Sequence, residues 1–194
     1  MQDEEKTAEV PAEEPQSGYI TVESLEEFTH KYPEEGAVMP QVYVDAARET
    51  VEQYLHYDPD KKDYVFSLWG DGTETLVLPA PVLSLQSVTV GGEPQDIGEW
   101  EFTKNYLRHR LRNGLFEIFS STQKIEVAFT GGWDPVPRKI VTAAHQIAAL
   151  YWESAGGNLA VSSTSFADQG TRVFNNFSES RFLDQINEWR IYNV

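Results

Sequence analysis

The apolar residues recur at helical spacing most clearly in residues 131–154. Apolar side chains there cover more than half of the helix circumference, and four of them are alanines. Such a helix is typically packed on several sides, with small residues where neighbours come close. Pro137 is predicted at the first helical position, where its missing N–H costs nothing. We therefore expect the central helix of the fold here. Its main inward stripe is Ile140, Ala144, Ile147 and Tyr151.

Three other segments have the same period. A short helix is predicted in residues 19–32, and either Thr21 or Ser24 could start it, since both fit a capping pattern. A longer helix is predicted in residues 39–57 and a final amphipathic helix in residues 182–192. The inward residues are Val22, Leu25 and Phe28 in the first, Val44, Ala47, Val51 and Tyr54 in the second, and Phe182, Ile186 and Trp189 in the third.

Residues 63–130 change to the period of two that is typical of strands. Hairpins are predicted at residues 70–73 (Gly-Asp-Gly-Thr) and, most strongly, at Asn113-Gly114. Because the strands follow one another through tight turns, we expect an antiparallel sheet. The strands are predicted at residues 64–69, 75–78, 82–90, 99–103, 106–112, 115–119 and 124–130.

The order of these elements predicts an α+β fold, in which a small helical core of about four helices carries an inserted antiparallel sheet. The core is assigned to residues 19–62 and 131–194, and the β insertion to residues 63–130. Residues 155–177 are rich in Gly, Ser, Thr and Asn, and they are interpreted as a long loop.

Charge is unevenly distributed in this chain of net charge −16, since eleven acidic and two basic residues lie in residues 1–36. Residues 1–18, with two prolines and few apolar side chains, form an acidic arm that we expect to be ordered only against a partner such as a neighbouring subunit. An acidic surface repels nucleic acid, which disfavours a DNA-binding module but not a protein that DNA passes without sticking. No apolar run reaches the length of a membrane span, and the acidic N-terminus predicts no signal peptide.

The residues offer little for catalysis. The four histidines (His30, His56, His109 and His145) are far apart in the sequence, and no two of them have the spacing of metal ligands. Residues 58–63 resemble a calcium loop, but Lys62 occupies a ligand position and the glycine is missing. The chain has no cysteine, no phosphate-binding glycine motif and no nucleophile elbow. We therefore predict a protein that is not an enzyme and has no cofactor or metal.

Three residue groups are candidates for interactions. Arg108, Arg110 and Arg112 alternate along a predicted strand, either as a solvated face or as a basic patch that meets acids on a neighbouring subunit. Those acids would be Glu4, Glu5, Glu13 and Glu14 of the arm. Trp189, Arg190 and Tyr192 are residue types enriched at interfaces, although Trp189 could simply cap the core. Trp69, Trp100 and Trp133, near strand ends, would suit a glycan- or receptor-binding β module, or could pack sheet against helix.

Four passages together resemble the head–tail connector proteins of tailed bacteriophages, also called adaptor or head-completion proteins. They are the helix at 42–57 (VYVDAARETVEQYLHY), the segment at 78–90 (LPAPVLSLQSVTV), the passage from 127 through Pro137 into the alanine-rich helix, and the Gly/Ser loop with the terminal helix at 180–193. The resemblance implies that subunits assemble, commonly twelve at a time, into a ring beneath the portal of the DNA-filled head. Such a ring extends the DNA channel and offers a platform to the next neck or tail protein.

The resemblance further implies docking to the portal protein through the C-terminal segment. It implies a location in the virion neck after synthesis in the host bacterial cytoplasm, with double-stranded DNA passing without specific binding and with no membrane. The acidic arm and the size of the β region depart from the family pattern. A tail terminator, a baseplate subunit and an enzyme acting on cell-wall or nucleic-acid polymer remain alternatives. The portal-docking candidates are Arg181, Phe182, Ile186, Trp189, Arg190 and Tyr192.

Overall fold

The computed structural model describes residues 18–30, 41–154, 163–166, 170–173 and 179–192. Within them the chain forms four α-helices and antiparallel sheets, so the predicted α+β class is confirmed. The acidic arm, apart from Gly18, lies outside the described residues, and so do its candidate residues Glu4, Glu5, Glu13 and Glu14.

Helix α1 spans Val22–Thr29 and begins after Thr21. The Thr21 hydroxyl accepts from the Ser24 N–H (3.2 Å), and the Thr21 N–H donates to the Ser24 hydroxyl (2.8 Å). This reciprocal capping box satisfies two N–H groups, and it identifies Thr21 as the start among the two predicted candidates. Leu25 is fully buried, whereas the ring of Phe28 stacks on that of His145 at 5.1 Å between centroids.

Helices α2 (Gln41–Leu55) and α3 (Arg138–Glu153) pack against each other and form the centre of the helical part. Helix α3 also contacts α1 and the C-terminal segment, which agrees with its predicted central place. Pro137 was predicted at the first helical position, but it lies one residue earlier, just before Arg138. Its carbonyl accepts from the Ile140 and Val141 N–H groups. The buried residues of these two helices are Val44, Ala47, Val51 and Leu55 in α2, and Ile140, Ala143, Ala144, His145, Ile147 and Ala148 in α3.

The larger sheet has four strands, in the order β1 (Lys62–Trp69), β7 (Lys124–Gly131), β3 (Val82–Val90) and β4 (Glu93–Pro94). Strand β7 is central, and its alternate residues Ile125, Val127 and Phe129 are fully buried. β1 pairs with β7 without interruption over all eight residues, whereas the β3–β7 pairing has two register shifts. The sheet therefore has one regular side and one bulged side.

The prediction of a hairpin at residues 70–73 is wrong. β1 pairs with the distant β7, and β2 (Leu76–Val77) belongs to the second sheet. Residues 70–73 instead run beside the chain at Phe119: the Gly72 N–H donates to the Phe119 carbonyl (2.9 Å), and the Phe119 N–H donates to the Thr73 carbonyl (3.0 Å). A side chain at Gly70 would collide with the carbonyl of Ser120, so this glycine serves a close crossing and not a turn.

The second sheet contains β2, β6 (Tyr106–His109) and β5 (Trp100–Thr103), which follows a short 3₁₀ turn at Ile97–Glu99. The turn predicted at Asn113-Gly114 is confirmed, since the Leu111 N–H donates to the Leu115 carbonyl at 2.8 Å. Its predicted flanking strands are shorter than expected. β6 ends at His109, and beyond it only Arg110 and Phe116 form a bridge.

The C-terminal part differs from prediction in two ways. The predicted loop at 155–177 contains a β-hairpin of β8 (Ser163–Phe166) and β9 (Gly170–Val173). The predicted helix at 182–192 is a short α4 (Ser180–Leu183) followed by a 3₁₀ helix (Asp184–Trp189). The chain leaves the helix there because the Ile191 N–H donates to the carbonyl of Leu55 in α2 (3.1 Å).

Candidate interaction surfaces

The C-terminal segment, residues 180–192, is attached to the helical part by two buried isoleucines. Ile186 is fully buried and Ile191 is 6% exposed. Ile186 was predicted as a portal-docking residue, but the structure places it in the subunit's own core. An amphipathic stripe marks burial without saying against what, and here the stripe packs onto α2 and α3.

The exposed side of this segment is built around Arg190. Its guanidinium lies between two tyrosine rings, 4.9 Å from the centroid of Tyr54 and 5.1 Å from that of Tyr192. Its Nε and Nη2 atoms donate to Nε2 of His56, at 3.2 and 3.0 Å. Because a guanidinium can only donate, the His56 Nε2 atom is the acceptor in both bonds. A cation stacked between aromatic rings is held in one orientation.

Asn187 ties the two tyrosines together. Its Oδ1 accepts from the hydroxyls of Tyr192 (2.6 Å) and Tyr54 (3.1 Å). Burial, together with the nearby Asp184 carboxylate, raises the pKa of Tyr54, so its hydroxyl stays a donor at neutral pH. The rings that hold Arg190 are thus themselves fixed by hydrogen bonds.

The remaining candidates of the C-terminal segment lie around this stack. Trp189 is half-buried, and the Lys139 ammonium lies 5.3 Å from its ring and 2.9 Å from the Glu188 carboxylate. Phe182 is half-buried against the core, and Arg181 is exposed. We use the name terminal surface for Tyr54, His56, Trp189, Arg190 and Tyr192. Sequence reasoning found the last three but missed Tyr54 and His56, which lie more than 130 positions away.

The three arginines predicted to share a strand face are only partly together. Arg108 and Arg110 both lie over the ring of Phe116, at 5.4 and 5.9 Å from its centroid. Arg108 donates to the Thr75 hydroxyl (2.9 Å), and Arg110 pairs with Glu101 (2.7 Å). Arg112 lies beyond the end of β6, in the turn, so the predicted three-residue alternation is wrong at its last member. Leu111 also lies beyond the end of β6 and is 36% exposed, whereas Leu107 on the strand is fully buried.

Beneath this face lies a cluster that the sequence did not reveal. His109 is buried, with Nδ1 2.6 Å from Glu117 Oε2 and Nε2 3.4 Å from Glu99 Oε2. Its ring stacks on Trp100 (4.8 Å), which in turn stacks on Phe119 (5.7 Å). His109 thus has a packing role that fixes the sheet behind the arginines. Alternation of β6 would have placed it inward, beside Leu107.

The chain just after the acidic arm is fastened by a polar cluster at the end of α2. The Asp60 carboxylate accepts from the Tyr19 N–H (3.2 Å) and pairs with Arg48 (3.0 Å), whose guanidinium lies 5.3 Å from the Tyr19 ring centroid. Burial raises the pKa of Asp60, although Arg48 opposes the effect. Ile20, which follows Tyr19, is 2% exposed and enters the core. Residues 19 and 20 are thus fixed to the subunit directly after the acidic arm.

The three tryptophans near strand ends do not act alike. Trp100 is buried in the ring stack, and Trp133 donates from Nε1 to the Tyr57 hydroxyl at 3.0 Å, which joins the start of α3 to the end of α2. Only Trp69, at the end of β1, is 60% exposed. A platform of three exposed rings, as a glycan-binding module would need, is not formed by these residues.

Among the described residues, no group of three or more His, Cys, Asp or Glu side chains has an arrangement that could hold a metal ion. None of the helices in that part of the chain is both long and apolar enough to cross a membrane. The residues brought together on the surface are aromatic and charged side chains, which suit protein contacts.

The fold is shared with chains from gene transfer agent (GTA) particles. One similar chain is from the virion of the native GTA particle, with a TM-score of 0.58 at 16% identity over 91% of both chains. Another is from the neck of the empty GTA particle computed with C6 symmetry, with a TM-score of 0.56, 16% identity and the same coverage. A third is from the neck of the native particle computed with C12 symmetry, with a TM-score of 0.50 and 17% identity over 80% of this chain and 83% of that one.

At these identities the likeness is one of fold. No protein-family model matches the chain, and no curated protein sequence matches it.

Proposed function

We propose that this protein is a structural component of the neck of a phage-like particle, and specifically a head–tail connector (adaptor) subunit. The observation that carries the proposal is the common fold with GTA neck and virion chains over 91% of both chains. The order of sequence passages that resembles connector proteins supports it independently. In this role the protein acts by shape and association, and its side chains make and break no bonds.

The proposed assembly is a ring of twelve subunits, the number that the resemblance to connector proteins implies. Two of the similar chains come from neck reconstructions with C6 and C12 symmetry, which supports a cyclic arrangement for this fold. The ring would sit beneath the portal, extend the channel for double-stranded DNA and present a platform to the next neck or tail protein.

The charge of the chain suits a DNA conduit. A net charge of −16 per subunit, repeated around a ring, gives a strongly negative neck. Phosphates would not be held by such a surface, whereas a basic lining would release counterions, bind DNA and slow its passage.

Electron microscopy of particles tests the proposal directly. A small tag fused to this protein should appear as density at the junction of head and tail. Density only at the baseplate, or no incorporation into particles, would overturn the connector assignment.

We propose that the terminal surface docks on the portal protein. Arg190 and Tyr192 project a fixed cation and an aromatic ring, which are residue types that dominate interface energetics. Deletion of residues 181–194 would be a poor test, because it also removes Ile186 and Ile191 from the core. The Arg190→Glu substitution changes the surface while keeping both isoleucines.

The expected result is a loss of portal binding of about tenfold or more in a pull-down or light-scattering titration with purified portal, the size expected for a central interface residue. Lys124→Glu is the matched control, since it reverses the charge of an exposed residue at the start of β7. This variant should bind portal normally. Equal binding by the Arg190 and Lys124 variants, both folded by circular dichroism, would move portal docking elsewhere.

We also propose that the arm acids Glu4, Glu5, Glu13 and Glu14 meet Arg108, Arg110 and Arg112 of a neighbouring subunit. Residues 102–116 carry four basic residues and no acidic one, which is unusual in so acidic a chain. Such contacts between exposed charges set register more than affinity and weaken with salt.

A further inference from the structure

Strand β1 is the open edge of the larger sheet. It pairs with β7 on one side, and on its other side no described residue forms a backbone hydrogen bond with it. The pairing with β7 is unbroken from Lys62 opposite Gly131 to Trp69 opposite Lys124, so no bulge twists the edge away. A row of unpaired N–H and C=O groups on a regular strand is a template for another strand.

This edge lacks the features with which proteins usually block such pairing. Its charges, Lys62 and Asp63, lie at one end, and residues 64–69 (Tyr-Val-Phe-Ser-Leu-Trp) contain neither charge nor proline. Val65 is 85% exposed and Trp69 is 60% exposed on the outward face. Long, uncharged and apolar edges are aggregation sites unless something covers them. The edge is therefore suited to be covered in the assembled protein.

The hairpin of β8 and β9 is a separate sheet of two strands. Its two strands pair with each other from Ser163 opposite Val173 to Phe166 opposite Gly170, but the hairpin makes no extensive contact with another described element. An isolated two-stranded hairpin is marginally stable in water and becomes stable when a third strand joins it. Among the described residues, the chain thus holds an unpaired strand edge and a hairpin without a third strand.

We propose that the β8–β9 hairpin of one copy adds to the β1 edge of a neighbouring copy, so that the sheets of two subunits become continuous. The inference rests on the proposed ring, in which each subunit offers one surface to the next and accepts another. Backbone hydrogen bonds would supply the contact, and the incoming strand would lie alongside Val65 and Trp69. The acidic arm is a poorer occupant, because its two prolines lack the N–H that a paired strand needs.

Disulfide trapping tests this contact cleanly, because the chain has no cysteine. Ser67→Cys on β1 is mixed with Thr164→Cys on β8 or with Thr171→Cys on β9, and the mixture is oxidised. We expect a disulfide-linked dimer for one of the two pairs on a non-reducing gel. Ser87→Cys is the control, since Ser87 lies on the same sheet but on β3, and it should not cross-link.

The double variant Ser67→Cys with the productive hairpin cysteine should form a ladder of higher multimers. A cross-link within a single chain would show that the hairpin covers its own edge, and would overturn the inference. Absence of any cross-link in the mixtures, or a cross-link to a different neck protein in assembled particles, would also overturn it.

A second variant tests the edge without oxidation. Val65→Lys places a charge on the open strand, where natural proteins place one to block pairing. It should leave the thermal unfolding midpoint of the monomer nearly unchanged and weaken self-association by about tenfold. Ser87→Lys is the matched control. Ser87 on β3 and Val65 on β1 lie opposite the same residue of β7, Ala128, and the Ser87 variant should associate normally. Equal association by the two variants would overturn the edge contact.

The two proposals fail differently. Light scattering that shows ring-sized multimers without any β1–hairpin cross-link overturns the edge contact and leaves the connector ring standing. Tagged protein absent from the head–tail junction overturns the connector role, while a β1–hairpin cross-link would still demonstrate a contact between two copies.

Discussion

The seam between α2 and α3 and the attachments at the ends of the described chain differ in how much polar contact they contain. Helices α2 and α3 bury small and branched apolar side chains, with Ala47, Ala144 and Ile147 fully buried, beside a hydrogen bond between the Thr50 and Tyr151 hydroxyls (3.0 Å). The attachments have fewer buried apolar side chains, such as Ile20, Leu25 and Ile186, and are held by polar contacts as well. Asp60 and Arg48 hold residues 18–20, His145 contacts α1, and Arg190 of the C-terminal segment lies over two tyrosine rings.

The difference indicates where the subunit can change without unfolding. Close-packed apolar contacts lose several kcal/mol when a side chain is truncated, whereas partly exposed polar contacts contribute little each. The seam therefore fixes the fold, and the attachments position the arm and the terminal surface, which are the parts proposed to meet other proteins. The predictions below test this division.

Truncation in the seam should have the largest effect. Ile147→Ala removes a fully buried side chain from α3 and should lower the free energy of unfolding by about 2–5 kcal/mol, measured by urea denaturation. Thr142→Ala, on the exposed side of the same helix, is the control and should change it little. A loss below about 1 kcal/mol for Ile147→Ala would mean that the seam is not the stabilising centre.

The attachment of α1 should respond to pH near neutrality. The His145 Nε2 atom lies 2.9 Å from the Ser24 hydroxyl, and burial lowers the pKa of His145 below its ordinary value. The unfolded chain therefore binds this proton more readily, so His145 contributes a loss of stability as the pH falls below about 6.5.

His145→Gln keeps a hydrogen-bonding side chain but does not titrate. The thermal unfolding midpoint of the wild type should fall more than that of the variant between pH 7 and pH 5. Parallel pH profiles for the two proteins would show that protonation of His145 does not loosen α1. His30→Gln, at an exposed site after α1, serves as the control.

The smallest effect is expected at the fastening of residues 18–20. Burial, and then the neighbouring Asp58 carboxylate, raise the pKa of Glu52, while Arg48 opposes them. A carboxyl group with a raised pKa binds its proton more readily in the folded protein, so its contribution to stability falls as the pH rises through that window.

Glu52→Gln should therefore raise the unfolding midpoint slightly at pH 7, and the gain should shrink as the pH falls toward about 3, where a glutamate of ordinary or raised pKa is protonated in both states. Glu49→Gln, on the same helix and exposed, should show no such pH-dependent gain. A lower midpoint for Glu52→Gln at pH 7 would mean that its long contact with Arg48 (3.8 Å) outweighs the cost of burial.

Local patterns predicted the parts of the fold that depend on local physics. The 3.6-residue period located α2 and α3, and alternation located β7 with its buried Ile125, Val127 and Phe129. Strand partners were not predictable in the same way. A glycine-rich turn after β1 looked like a hairpin, but β1 pairs with β7, which follows far along the chain, from Lys62 opposite Gly131 to Trp69 opposite Lys124.

The candidate surface was predictable only in part, for a related reason. Residue types near the C-terminus pointed to Arg190 and Tyr192. The same reasoning also selected Ile186, which is buried in the subunit's own core. Apolar residues repeat at the same helical spacing whether the helix packs on its own core or on a partner. Tyr54 and His56 complete the surface from α2, and sequence spacing gives no sign that they meet Arg190.

The chain passes between its helical and β regions at one crossing. The Trp133 N–H donates to the Pro59 carbonyl (2.9 Å), and a side chain at Gly132, where φ is +95°, would collide with the Asp60 carbonyl. Both passages thus run side by side, and only glycine fits at the tightest point. Loops at the far end of the sheets can therefore lengthen or shorten without shifting α2 against α3, so the β region can vary while the helical part stays unchanged.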